Sequence, residues 1–184
     1  MSALDVLAAE WDSGRDAADA AGWARQVAPY GDRFPGLAPA EHEALPPEEL
    51  RQAASAVPPA HLGLVSASRP ADVPAVVGWS VFGIDFISPA ARSFEFSLPG
   101  ARSLIIGAVL RSWEERFGTR LLRIGSDAVL QVLAERPPRT RERATRLAAE
   151  FYAFADEIDH SAAYTVSSIA ARLVGAPVWT FWWD

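Results

Sequence analysis

Pro177-Val178-Trp179-Thr180-Phe181-Trp182-Trp183-Asp184 are the last eight of 184 residues and hold three of the seven tryptophans. Val178 to Trp183 is a run of β-branched and aromatic residues, which pack well on a pleated surface and so favour strand over helix. Gly175 and Pro177 close off whatever precedes it. Alternation puts Trp179, Phe181 and Trp183 on one face and Val178, Thr180 and Trp182 on the other. With large apolar groups on both faces, the strand is expected to be covered on both sides and central in its sheet. An exposed edge of this composition would invite aggregation. Each buried aromatic brings ~150–250 Å² of contact surface, enough for this strand to anchor a core. A sharper reading makes Trp182 or Trp183 the floor of a pocket.

Moving upstream, Thr165 is placed to cap a helix with Val166, Ile169, Ala170 and Leu173 inward, closed by Gly175. Thr140 is a candidate N-cap for a helix reaching about Ile158, with Ala144, Leu147, Ala148, Phe151 and Ala155 inward. Thr119–Gly125 and Ala128–Glu135 read as a hairpin across Ser126-Asp127. Pro99-Gly100 opens a helix through Phe117 with Ile106, Val109, Leu110, Trp113 and Phe117 buried, and Gly118 follows as its terminator. Arg111 and Glu115 are expected to face outward as an i,i+4 pair. Two period-two runs, Phe82/Ile84/Phe86 and Phe94/Phe96/Leu98, flank Ser88–Arg92 and predict another hairpin. His61 to Ala67 alternates as a first strand, followed by a turn at Arg69–Pro74.

Residues 2–28 predict helix, with a possible break at Asp12-Ser13-Gly14. Seven of the fourteen prolines fall between Pro29 and Pro59, so that window predicts extended chain with one short helix at Glu48–Ala56. The expected organisation is an N-terminal extension, residues 1–59, and an α+β domain, residues 60–184. Leaving out the inserted hairpin, the domain has a β-α-β-β-α-β order. That is a ferredoxin-like split arrangement, with a single mixed or antiparallel sheet and helices on one face.

Composition excludes several chemistries. There is no cysteine, which removes disulfides, thiolate nucleophiles and cysteine-ligated metals. All 17 Lys+Arg cations are arginine, so no lysine can form a Schiff base or grip a phosphate as in a P-loop. A net charge of −6 argues against nucleic acid and against anionic membranes. The start has no basic region before Asp5 and Glu10, and no span of apolar residues is long enough for a membrane. A cytoplasmic protein with no cofactor is expected.

Several blocks resemble the bacterial family known as domain of unknown function 4253. They are Asp72–Trp79, Val109–Gly118, Leu121–Gly125, Ala134–Pro138 and Pro177 to Asp184. The resemblance covers roughly residues 70–184 and implies a bacterial, mainly actinobacterial, origin. It implies no activity, cofactor or site residue. Family members usually place an Asn shortly after the Gly-Trp, and a Phe-Cys-Pro-Asp-like segment where this chain reads Phe154-Ala155-Asp156-Glu157. Loss of those polar groups would alter any activity they serve elsewhere.

Few residues form a constellation. Asp156 and His160 would share a helix face, and with Asp159 they could hold a metal, although a solvated helix end with His near the negative dipole accounts for them better. His42 and His61 are isolated, and Ser66, Ser68 and Ser126 lack a nucleophile-elbow context. Arg136, Arg139, Arg141, Arg143 and Arg146 could grip an anion, but Glu135, Glu142 and Glu150 interleave with them as on a solvated face. Trp79, Phe82, Phe94, Phe96 and Trp182 are the candidate ligand- or partner-binding residues, as aromatics on a loop-borne hairpin and near it. The expected function is a non-catalytic binding or protein-interaction module, immunity-like or accessory, with a protein or small molecule as partner. The alternative is a small-molecule enzyme of specialised metabolism using a carboxylate or His in an aromatic pocket. A metal-dependent hydrolase built on Asp156, Asp159 and His160 comes third.

Overall fold

The computed structural model describes residues 2–58, 64–77, 101–125, 129–155 and 164–182. Among them are seven α-helices, a 3-10 turn and a three-stranded antiparallel sheet, which makes the fold α+β.

Helix α1 (Ala3–Ala17) begins in a capping box, with the Asp5 N–H donating to Ser2 Oγ and the Ser2 N–H to the Asp5 carboxylate. It runs through Asp12-Ser13-Gly14, where a break was expected. One interior glycine costs only about 1 kcal/mol, less than the helix gains by burying Leu7 and Trp11. The break comes instead at Asp19, whose carboxylate caps the Ala21 and Gly22 N–H groups of α2 (Ala20–Val27). Residues 28–46 have neither helix nor strand, and α3 (Pro47–Ser55) starts on a proline at its first position. The N-terminal segment packs on the rest of the chain: Leu7, Trp11, Trp23 and Val27 belong to the same buried cluster as Trp113 and Trp179.

Leu64–Ala67 is irregular rather than strand, and Leu64 and Val65 are exposed. His61-Leu62-Gly63 and the expected hairpin at residues 82–98 lie outside the described residues. Pro70–Asp72 forms the 3-10 turn and Val73–Val76 a single helical turn, α4. Both lie against α5 (Ala101–Phe117). Arg111 and Glu115 do not pair with each other. Arg111 Nη1 reaches Asp72 Oδ1 at 2.8 Å, and Glu115 accepts from Arg69 at 3.2 Å, so the two clamp this segment to the helix.

Helix α5 ends at Gly118, whose φ of +64° is cheap only for glycine. Strands β1 (Thr119–Ile124) and β2 (Val129–Ala134) then pair antiparallel, with a bulge between Leu121 and Arg123. Thr140 Oγ1 accepts from the Arg143 N–H to start α6 (Arg141–Phe154), capped at Ala155, and the expected end at Ile158 lies outside the described residues. Thr165 and Ser168 form a capping box for α7 (Val166–Leu173). Gly175, φ +68°, releases the chain into β3 (Val178–Trp182).

The tail strand departs from expectation in position and direction. A single helix between two strands returns the chain parallel, but both α6 and α7 stand between β2 and β3. The second helix reverses the chain once more, so β3 runs antiparallel and pairs directly with β2, Val132 opposite Trp179 and Leu130 opposite Phe181. The order is β1-β2-β3, with β3 at the edge among the described residues, and the ferredoxin-like order is not reproduced there.

The layers meet at Trp113 on α5. Its ring stacks on Phe181 at 5.1 Å and meets Trp179 edge-on at 5.9 Å, and Phe151 and Phe154 of α6 fill the remaining sides. No described helix is long and apolar enough to cross a membrane.

Candidate functional site

Two places on the described residues carry polar or aromatic groups arranged beyond ordinary core packing. One is the outer face of the sheet. Leu130, Val132 and Ala134 of β2 and Trp179 and Phe181 of β3 point to the helices and are buried. Their neighbours point the other way, so Val129 stands beside Trp182, Gln131 beside Thr180 and Leu133 beside Val178. Trp182 is 42% exposed, Thr180 is exposed, and Val178 is half-buried. The expectation that both faces of β3 are covered is therefore corrected: among the described residues helices seal only the face of Trp179 and Phe181, and Trp182 and Thr180 on the other are exposed.

Polar contacts pin this outer face, on which Val129, Gln131, Leu133 and Val178 are half-buried. Gln131 Nε2 donates to Thr180 Oγ1 at 3.1 Å across the strands. Arg120, opposite Leu133, donates to Glu135 at 2.7 Å. That hydrogen bond first, and the carboxylate's charge second, raise the Arg120 guanidinium above its ordinary pKa.

The second place is internal. Glu150, expected among a solvated face of charges, is fully buried. Arg116 Nη1 and Nη2 each donate to a different Glu150 oxygen at 2.7 Å, a bidentate pair. Trp113 Nε1 donates to Glu150 Oε2 at 2.9 Å and the Ala38 N–H to Oε1 at 2.6 Å. Arg116 is completed by Ser112 Oγ and the Ala38 carbonyl, and its guanidinium lies 5.1 Å from the Phe117 ring. Sequence reasoning missed this pair. A signal was present: Glu150 is three residues after Leu147 and four before Phe154, on the helix's apolar stripe.

Three arginines of the run are likewise engaged within the fold. Arg141 donates to Ser167, Arg143 to Glu41 at 3.0 Å, and Arg146 to the Pro35 carbonyl at 2.7 Å. Glu41 is buried, and its Oε1 has no hydrogen-bond partner among the described residues.

Of the candidate ligand-, partner- and metal-binding residues, Trp182 is the one the structure describes. Trp79, Phe82, Phe94 and Phe96 lie outside the described residues, as do Asp156, Asp159 and His160. Among the described residues no group of three His, Asp or Glu side chains could hold a metal ion. His42 is exposed.

The architecture defines the class, an α+β protein whose helices α5 and α6 cover one face of an antiparallel sheet. Residues 102–184, from α5 to the tail strand, match the model of a family described as Domain of unknown function (DUF4253). This agrees with the resemblance seen in the sequence for its blocks from Val109 onward, while the block at Asp72–Trp79 precedes the matched residues. No curated protein and no solved structure matches the chain.

Proposed function

We propose that the protein is a non-catalytic binding module that meets a protein partner through the outer face of its sheet. The observation that carries this reading is Trp182, 42% exposed beside Val129 on a sheet face that no described helix seals. A large aromatic held on a rigid strand loses little entropy on binding and is a common anchor of protein interfaces. The buried carboxylates support the same reading, since Glu150 and Glu41 are committed to arginines in structural ion pairs. An immunity-like or accessory role suits a module of this kind.

Photocrosslinking tests the reading. With p-benzoylphenylalanine in place of Thr180, beside Trp182 on the outer face, one discrete protein adduct is expected in the native cell. The same group at Arg25, exposed on α2, should give none, and Trp182→Ser should abolish the adduct at position 180. Equal labelling from positions 180 and 25, or labelling that survives Trp182→Ser, would refute the proposal.

A further inference from the structure

Residues 34–41 run along α5 and α6 without helix or strand, turning at Gly36 (φ +87°), and the helices hold this segment mainly by its main chain. Arg146 Nη1 donates to the Pro35 carbonyl at 2.7 Å. Three residues on, Ala38 makes two contacts, its N–H donating to Glu150 at 2.6 Å and its carbonyl accepting from Arg116 at 2.9 Å. Three residues further, the Glu41 N–H donates to the Arg116 carbonyl at 2.9 Å, and the Glu41 carboxylate meets Arg143 at 3.0 Å. Arg143 also reaches the Ala40 carbonyl at 3.4 Å.

The main-chain contacts fall at 35, 38 and 41, and Gly36, at φ +87°, makes the turn between the first two that only glycine takes cheaply. Pro35 and Pro39 have no N–H to satisfy, which suits a groove whose side chains are mostly donors. Specificity comes from few side chains: Phe34 and Leu37 pack on the core, buried Ala38 is small at the point of closest approach, and Glu41 supplies the acid. Main-chain capture with two apolar anchors is how peptide-binding grooves work.

We infer that the groove formed by Arg116, Arg143, Arg146 and Glu150 is a peptide site, occupied in cis by the chain's own residues 34–41. The ligand class is a segment of the pattern aromatic-Pro-Gly-aliphatic-Ala-Pro-x-acid, the glycine set by the φ of +87° at Gly36. Tethering gives the internal segment an effective concentration on the order of millimolar, so it excludes free peptide while it stays docked. This inference is independent of the outer sheet face.

The test uses the full chain with Phe34→Ser and Leu37→Ser, which remove the anchors and leave the groove intact. A fluorescein-labelled peptide copying residues 32–43 should bind this variant at least tenfold more tightly than it binds the wild-type chain, by anisotropy. The same peptide with Ala38→Pro, lacking the N–H that Glu150 accepts, should lose that gain. A folded variant that binds neither peptide, or binds both equally, overturns the inference. If the variant does not fold, hydrogen exchange of the wild-type chain decides. The Ala38 and Glu41 amides should then exchange together and at least tenfold faster than those of Val109 and Leu147. Exchange of all four at one global rate overturns the inference.

Discussion

Each Nη of Arg116 lies 2.7 Å from its own oxygen of Glu150, joining α5 to α6 through a carboxylate that solvent does not reach. The pair is completed by Trp113 and by the Ala38 main chain, so three parts of the chain meet at one charge. Removing one partner leaves the other buried and unpaired, which typically costs about 3–5 kcal/mol. Glu150→Ala and Arg116→Met should each fall in that range in urea unfolding. The double variant should lose clearly less than the sum, because neither charge is then stranded. Additive losses would show that the two groups act separately.

Neighbouring tail residues should respond very differently. Phe181 is buried against Trp113, and Phe181→Ala should cost about 3–5 kcal/mol. Trp182 points outward and pairs with Val129, so Trp182→Ala should cost no more than about 1 kcal/mol. Chemical denaturation of the two variants checks the contrast, and similar losses would mean that the outer face is as well packed as the inner.

The glycines at φ +64° and +68° separate backbone cost from steric cost. Alanine at either should lose about 1–2 kcal/mol from the left-handed backbone alone. A Cβ at Gly175 meets nothing within 4 Å, whereas one at Gly118 lies 3.0 Å from Glu135 Oε2 and 3.1 Å from Glu135 Cβ. Gly118→Ala should therefore lower the Tm further than Gly175→Ala, and equal Tm values would leave the crowding at Gly118 without effect.

The first turn of α1 should respond to acid. Hydrogen bonds from the Ser2 hydroxyl and the Ser2 N–H hold the Asp5 carboxylate below its ordinary pKa of 3.8. A depressed folded-state pKa means that the contribution is complete above the ordinary value and is lost as pH falls through the lowered one. Amide exchange in residues 3–6 should rise over that acid window. In Asp5→Asn the same amides should show no such step, and a step that persisted would assign it to another group.

Much of the secondary structure was legible from local chemistry. Thr140, Thr165, Gly118 and Gly175 mark helix ends because a hydroxyl satisfies a free N–H and a glycine accepts positive φ, whatever the tertiary setting. The hairpin at residues 119–134 and the tail strand follow from alternation and aromatic content. The break after α1 was harder to place, because Gly14 is a weak breaker inside a helix that buries Trp11, while Asp19 acts through a cap visible only in three dimensions. The sequence makes Trp182 a pocket floor on a covered face, and its exposure comes only from the packing of the helices on the opposite side.

The sequence by itself determined the α+β class, the element boundaries set by caps and prolines, and the exclusion of thiol and lysine chemistry, because each depends on residue type and near neighbours. Only the tertiary structure decided three other things. β3 runs antiparallel beside β2, because two helices rather than one return the chain to the sheet. Among the described residues α5 and α6 pack on a single side, so Trp179 and Phe181 are core while Trp182 on the other face is 42% exposed. Glu150 is a buried partner of Arg116 rather than a surface acid, because its counter-charge arrives from 34 residues away in the chain.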